Sequence, residues 1–113
     1  RKVPIEPGDV LGHEAVGIVD EVGPEVTRFA VGDRVVLSYI TACGSCWFCE
    51  RGQTSLCQDS KVFGAGAFGG DLPGAQAERV AVPVADVNLF KVPDAIDDDR
   101  AVFLGDALPT GMA

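Results

Sequence analysis

The sequence predicts a mainly β fold: a small barrel of short strands, a projecting cysteine lobe, and a helix at the C-terminal end. Three observations lead there. Short runs of β-branched residues recur between glycine turns. All four cysteines fall between Cys43 and Cys57, and a helical pattern is confined to the residues after Asp97. The chain has 113 residues, 47% of them apolar and 23% charged, which suits one globular domain with a core of its own.

The elements follow in order. Val10 to Val22 is expected as a strand, with Val16, Ile18, Val19 and Val22 β-branched, and with Gly23-Pro24 ending it. Phe29 to Leu37 turns on Gly32-Asp33 into a second strand. The cysteine lobe comes next, then a glycine-rich stretch from Gly64 to Gly74. Ala77 to Val84 alternates in part, and Asn88 to Val92 makes another short strand. Asp97 is placed to cap the terminal helix, Asp98 and Asp99 suit its first turn, and Ala101, Val102 and Leu104 give it an apolar side. Pro109 is expected to interrupt or kink it.

Charge and hydropathy narrow the partners. Seventeen acidic against nine basic residues leave a net charge of −8, which argues against nucleic acid or an anionic membrane surface. No apolar run is long enough to span a bilayer, and no basic, apolar leader marks a secretory signal, so a cytoplasmic protein is expected. The chain opens on Arg1, its sole methionine is Met112, and it stops at Ala113 on an apolar run. It is therefore expected to be a piece of a longer protein.

Cys43, Cys46, Cys49 and Cys57 form the pattern C-x2-C-x2-C-x7-C. Disulfides among them would close only short loops, with little entropic return, and no secretory signal supports an oxidising compartment. Metal ligation accounts for the clustering better, because four thiolates around one tetrahedral ion must come from a tightly turned chain. Gly44-Ser45 and Gly52 supply permissive backbone, and Arg51 supplies positive charge near an anionic centre. Iron–sulfur ligation is the rival. The ferredoxin run continues with a three-residue gap and Cys-Pro, however, whereas seven residues and Cys57-Gln58 stand here. With four thiolates the shell is full, so the expected site is structural zinc, in a lobe spanning residues 43–57.

Gly64-Ala65-Gly66-Ala67-Phe68-Gly69 matches the G-x-G-x-x-G dinucleotide pattern. A true fingerprint opens a helix, and Gly70, Pro73 and Gly74 forbid one here. A flexible surface loop is expected instead, with no cofactor-binding residue in this chain.

The sole histidine, His13, is followed by Glu14 and preceded by Gly12. Strand alternation would send the His13 and Glu14 side chains to opposite faces, so joint ligation of one metal would need a bulge. Asp106 is a carboxylate in the otherwise apolar run from Ala101 to Leu108.

These residues carry a resemblance. Gly12-His13-Glu14-Ala15-Val16-Gly17 with Gly23 and Val26, Gly32-Asp33-Arg34-Val35, the cysteine spacing, Gly74-Ala75-Gln76-Ala77-Glu78 and Asp106-x-x-Pro109-Thr110-Gly111 resemble, in order, the zinc-containing alcohol dehydrogenases of the medium-chain dehydrogenase/reductase superfamily. The resemblance implies a GroES-like β-barrel forming part of a catalytic domain, with the four cysteines on structural zinc. It implies a catalytic zinc held by an upstream cysteine, by His13, and by Asp106, which replaces the cysteine of many members and makes a harder site. Glu14 is implied as a supporting group or an alternate ligand.

The activity implied is Lewis-acid activation of a small alcohol, or of the aldehyde in reverse, with hydride passing to or from NAD(P). The upstream cysteine, the proton-relaying hydroxyl beside it and the Rossmann domain are not among these residues. The isolated chain is therefore expected to be inactive, with about one zinc bound. An apolar face left where a second domain packs favours a homo-oligomer. The alternative is a non-catalytic, zinc-stabilised GroES-like binding module.

Overall fold

A computed structural model describes residues 5–112 of the chain. Arg1 and Ala113, on which the expectation of a longer protein rests, lie outside the described residues. Five short strands carry the architecture: β1 (Val16–Ile18), β2 (Arg34–Leu37), β3 (Ile40–Thr41), β4 (Lys61–Val62) and β5 (Leu89–Lys91). Three short α-helical segments accompany them: α1 (Ala85–Asn88), α2 (Asp98–Ala101) and α3 (Ala107–Met112). Strand β2 lies between β1 and β5, antiparallel to both, and β3 pairs with β4 in a separate antiparallel ribbon.

The register explains the core. Val35 lies opposite Gly17 and Lys91, and Leu37 opposite Leu89. Val35, Leu37 and Leu89 join Val19, Phe29 and the inaccessible Phe63 in one buried cluster. The intervening Val36 belongs to a second cluster with Val92 and Ala101, against which Ile96 and Leu104 pack. One strand thus feeds two cores from its two faces, as period-two alternation requires.

The first expected strand is shorter than its β-branched run. Only Val16–Ile18 forms a ladder with β2, while Val10 to Gly12 pairs through backbone with the stretch after Pro73. There Gly74 N–H donates to Val10 C=O (2.8 Å), Gln76 N–H to Leu11 C=O (2.9 Å) and Ala75 N–H to Gly12 C=O (2.9 Å). Ala77 to Val84 forms no strand. Pro83 lacks a donor, Val84 turns into the left-handed region at φ 47°, and Val80 and Val82 serve instead by packing on the first cluster.

The glycine-rich stretch also departs from expectation. It is not a free surface loop: Gly66 and Gly69 are buried in a tight 3-10 turn, Gly66–Gly69, and Gly64 (φ 68°) lies against the backbone of Leu11 and Gly12. A Cβ on Gly74 would collide with Leu11 C=O. Glycine is used here for close backbone approach.

The terminal helix is divided. Asp97 caps α2 as expected, its Oδ1 accepting from Arg100 N–H at 3.0 Å. A 3-10 turn, Val102–Leu104, follows, and the chain breaks at Gly105-Asp106 before α3 begins. Pro109 therefore does not interrupt a helix. It sits in the first turn of a new one, where its missing N–H has no intrahelical partner to lose. No helix among the described residues is long and apolar enough to cross a membrane.

Beside β1 and β2 the first cluster lines an open cavity of about 1050 Å³, reached by Val26, Phe29, Val35, Val80, Val82 and Leu89.

Candidate metal centres

The lobe between β3 and β4 winds through two 3-10 turns, Cys49–Arg51 and Thr54–Leu56, with Gly52 in the left-handed conformation closing the first. This winding brings the sulfurs of Cys43, Cys46, Cys49 and Cys57 within 4.8 Å of one another, and none is in a disulfide. Four ligands about 2.3 Å from a tetrahedral zinc stand about 3.8 Å apart. The Cys43–Cys49 sulfur separation of 4.0 Å is close to that. The donor set and its spacing fit zinc.

Backbone donors prepare the thiols unequally. The N–H groups of Ser45 and Cys46 point at Cys43 Sγ from 3.5 and 3.3 Å and pull its thiol down to about 6. Those of Cys49 and Gln58 lower Cys46. Burial pushes Cys49 the other way, up to about 12. Arg51 lies with its guanidinium 3.9 Å from the Trp47 ring and donates to Trp47 C=O at 2.9 Å.

The second candidate pair comes from distant parts of the chain. His13 Nε2 stands 2.9 Å from Asp106 Oδ2, across 93 residues of sequence. His13 and Glu14 precede β1, so strand alternation does not govern them. Both face the same segment, Glu14 Oε1 accepting from Ala107 N–H at 3.0 Å. Gly105 makes this possible, because it lies directly against Leu37 C=O at the end of β2, where a Cβ would collide. Thr110 Oγ1 donates to Asp106 Oδ1 at 2.6 Å, leaving Oδ2 for His13.

Two ligands of one tetrahedral ion, each about 2.1 Å from it, stand about 3.4 Å apart. The His13–Asp106 pair, at 2.9 Å, is a direct hydrogen bond, closer than that spacing. Among the described residues, only the four cysteines bring three or more His, Cys, Asp or Glu ligand atoms together.

Two contributors escaped the sequence reading. Thr110 stands four residues beyond Asp106, a spacing at which a helical turn brings side chains together. Asn88 is a lone amide in an apolar stretch, and a buried amide there is a signal in itself.

Residues 1–94 match the family model described as the alcohol dehydrogenase GroES-like domain. The chain belongs to that family. It is 42% identical over 123 aligned positions to a zinc-type alcohol dehydrogenase-like protein of Schizosaccharomyces pombe, covering 96% of this chain and 29% of that protein. It is 38% identical over 112 positions to an L-threonine 3-dehydrogenase of Pyrococcus horikoshii, covering 96% and 30%. Among solved structures, the alcohol dehydrogenase TADH of Thermus sp. ATN1 superposes with a TM-score of 0.93 at 45% identity, over 97% of this chain and 32% of that one. The chain thus spans about a third or less of the length of these relatives.

Proposed function

We propose that the chain is the GroES-like part of the catalytic domain of a zinc-dependent alcohol dehydrogenase that moves a hydride between a small alcohol or aldehyde and NAD(P). The observation that carries this reading is the pairing of His13 Nε2 with Asp106 Oδ2 at 2.9 Å. A core histidine satisfied by backbone would not need a carboxylate drawn from 93 residues away and itself held by a hydroxyl.

In this reading Cys43, Cys46, Cys49 and Cys57 hold a structural zinc, and His13 and Asp106 supply two ligands of a catalytic zinc whose third is an upstream cysteine. The catalytic ion supplies Lewis-acid polarisation of the substrate oxygen. His13 presents Nε2 to the centre, and Asp106 presents Oδ2 because Thr110 occupies Oδ1. Glu14 supports Asp106 from behind through the Ala107 N–H. With only two ligands, the chain alone binds zinc in the lobe and is catalytically inactive. NAD(P) is bound by a further domain. Four unbridged thiols suit a reducing cytoplasm. Leu108 and Met112, one turn apart on α3 and exposed, support packing against that domain or a second copy.

The test compares the full-length protein with the 113-residue chain for alcohol-dependent NAD(P) reduction. Activity is expected only in the former. Turnover by the isolated chain, or a full-length protein that binds zinc yet oxidises no alcohol, overturns the reading.

A further inference from the structure

Asn88 is 2% exposed, and its amide is fully used. Oδ1 accepts from Ala42 N–H at 2.8 Å, while Nδ2 donates to Ala42 C=O at 3.0 Å and to Pro83 C=O at 2.9 Å, with Val84 C=O at 3.3 Å. Both backbone groups of Ala42, the residue before Cys43, are thus held by one side chain. Ala42 C=O and Cys43 N–H belong to the same planar peptide unit. Fixing the carbonyl therefore aims the N–H, and Cys43 N–H donates to Cys57 Sγ at 3.2 Å.

The root of the lobe is held from the other side as well. Gly44, at φ 77°, leaves room for Val87, whose Cγ2 would stand 3.0 Å from a Cβ placed there. The turn that Asn88 grips contains Val84 at φ 47°, a conformation that a β-branched residue adopts only when its surroundings impose it. Asn88 backbone C=O accepts from Ser38 N–H at 3.0 Å, so the same residue is fixed to the sheet just beyond β2.

We infer that Asn88 is the positioning residue of the cysteine lobe: through the Ala42–Cys43 peptide it orients a hydrogen bond onto Cys57 Sγ and sets Cys43 in the four-sulfur cluster, and so governs how tightly the lobe keeps its metal. This rests on the proposal that the lobe holds zinc. Residues that support metal ligands from behind typically change metal affinity by about 10–100-fold when replaced.

The experiment measures zinc release to a chromophoric chelator from the wild-type chain, from Asn88→Ser, and from Val92→Ala, a change in the second core cluster away from the lobe. Asn88→Ser is expected to release zinc about ten- to a hundredfold faster, and Val92→Ala at the wild-type rate. With cobalt in place of zinc, the sulfur-to-metal charge-transfer band is expected to shift in Asn88→Ser and not in Val92→Ala. Equal release rates and unshifted bands in both variants overturn the inference while leaving the zinc reading intact. A wild-type chain that binds no zinc overturns both. Hydrogen exchange in the wild-type chain keeps the inference falsifiable should Asn88→Ser fail to fold. The Ala42 amide is expected to stay protected with and without zinc, and protection that exists only with zinc would assign the positioning to the metal.

Discussion

His13 Nε2 and Asp106 Oδ2 meet at 2.9 Å although 93 residues separate them, and neither lies in a strand. Their meeting depends on two backbone approaches. Gly12 is tied to Ala75, and Gly105 is pressed onto Leu37. In the full-length protein, Asp106→Asn is expected to lower kcat/KM by about a hundredfold or more and to remove one of about two zinc ions per chain, sparing the lobe. Steady-state kinetics with metal analysis checks both.

Among the described residues, the Glu14 side chain hydrogen-bonds only to Ala107 N–H, which separates two substitutions. Glu14→Gln keeps an acceptor for Ala107 N–H and is expected to hold stability near wild type. Glu14→Ala hands that exposed donor to water and is expected to cost about 0.5 kcal/mol. Thermal melts of the two variants distinguish them.

Removing a lobe ligand should act on folding as well as on metal content. Cys57→Ser is expected to abolish stoichiometric zinc binding and to destabilise the lobe by about 3 kcal/mol or more, since a metal bound only by the folded state contributes its binding energy to folding. Chelator treatment of the wild-type chain is expected to reproduce the loss. Metal analysis and proteolysis of residues 43–57 read the two effects separately.

The Asp86 carboxylate accepts from Arg28 N–H, Thr27 N–H and Thr27 Oγ1, and these bonds hold its pKa below the ordinary carboxylate value. A depressed folded-state pKa contributes stability above the unfolded value, and that contribution is lost as pH falls through the folded value. Asp86→Asn is therefore expected to be less stable than wild type at pH 7, with the gap closing as pH falls below about 4. Urea midpoints across that range give the measurement.

Gly105→Ala places a methyl group where Leu37 C=O stands. The expected cost is about 1–3 kcal/mol, accompanied in the full-length protein by weakened metal retention at the His13–Asp106 pair. A variant with wild-type melting and metal content would show that the segment shifts freely.

The cysteine lobe was legible because metal ligation constrains spacing along the chain, and C-x2-C-x2-C-x7-C carries that constraint locally. The Asp97 cap was legible for the same reason, since a cap acts within three residues. The extent of the first strand was not. Val10 and Leu11 are β-branched or apolar like their neighbours, but their partner is the irregular stretch at Gly74 to Gln76, and strand propensity does not reveal what a segment pairs with. The division of the terminal helix was hidden similarly, because Gly105 breaks it to approach a strand some seventy residues earlier. The roles proposed for His13 and Asp106 rest on resemblance, and their juxtaposition required the fold.

Neighbouring strands β2 and β5 are separated in the chain by the entire cysteine lobe and the glycine turn. In kinetic terms, the central pairing of the sheet cannot form until an excursion of that length closes, which places the chain among slower-folding topologies. Metal captured early by Cys43 and Cys57 would shorten the excursion, but loop closure depends only logarithmically on length, so the gain is a few tenths of a kcal/mol. A metal held by the four sulfurs would thus secure the folded product more than it hastens the search.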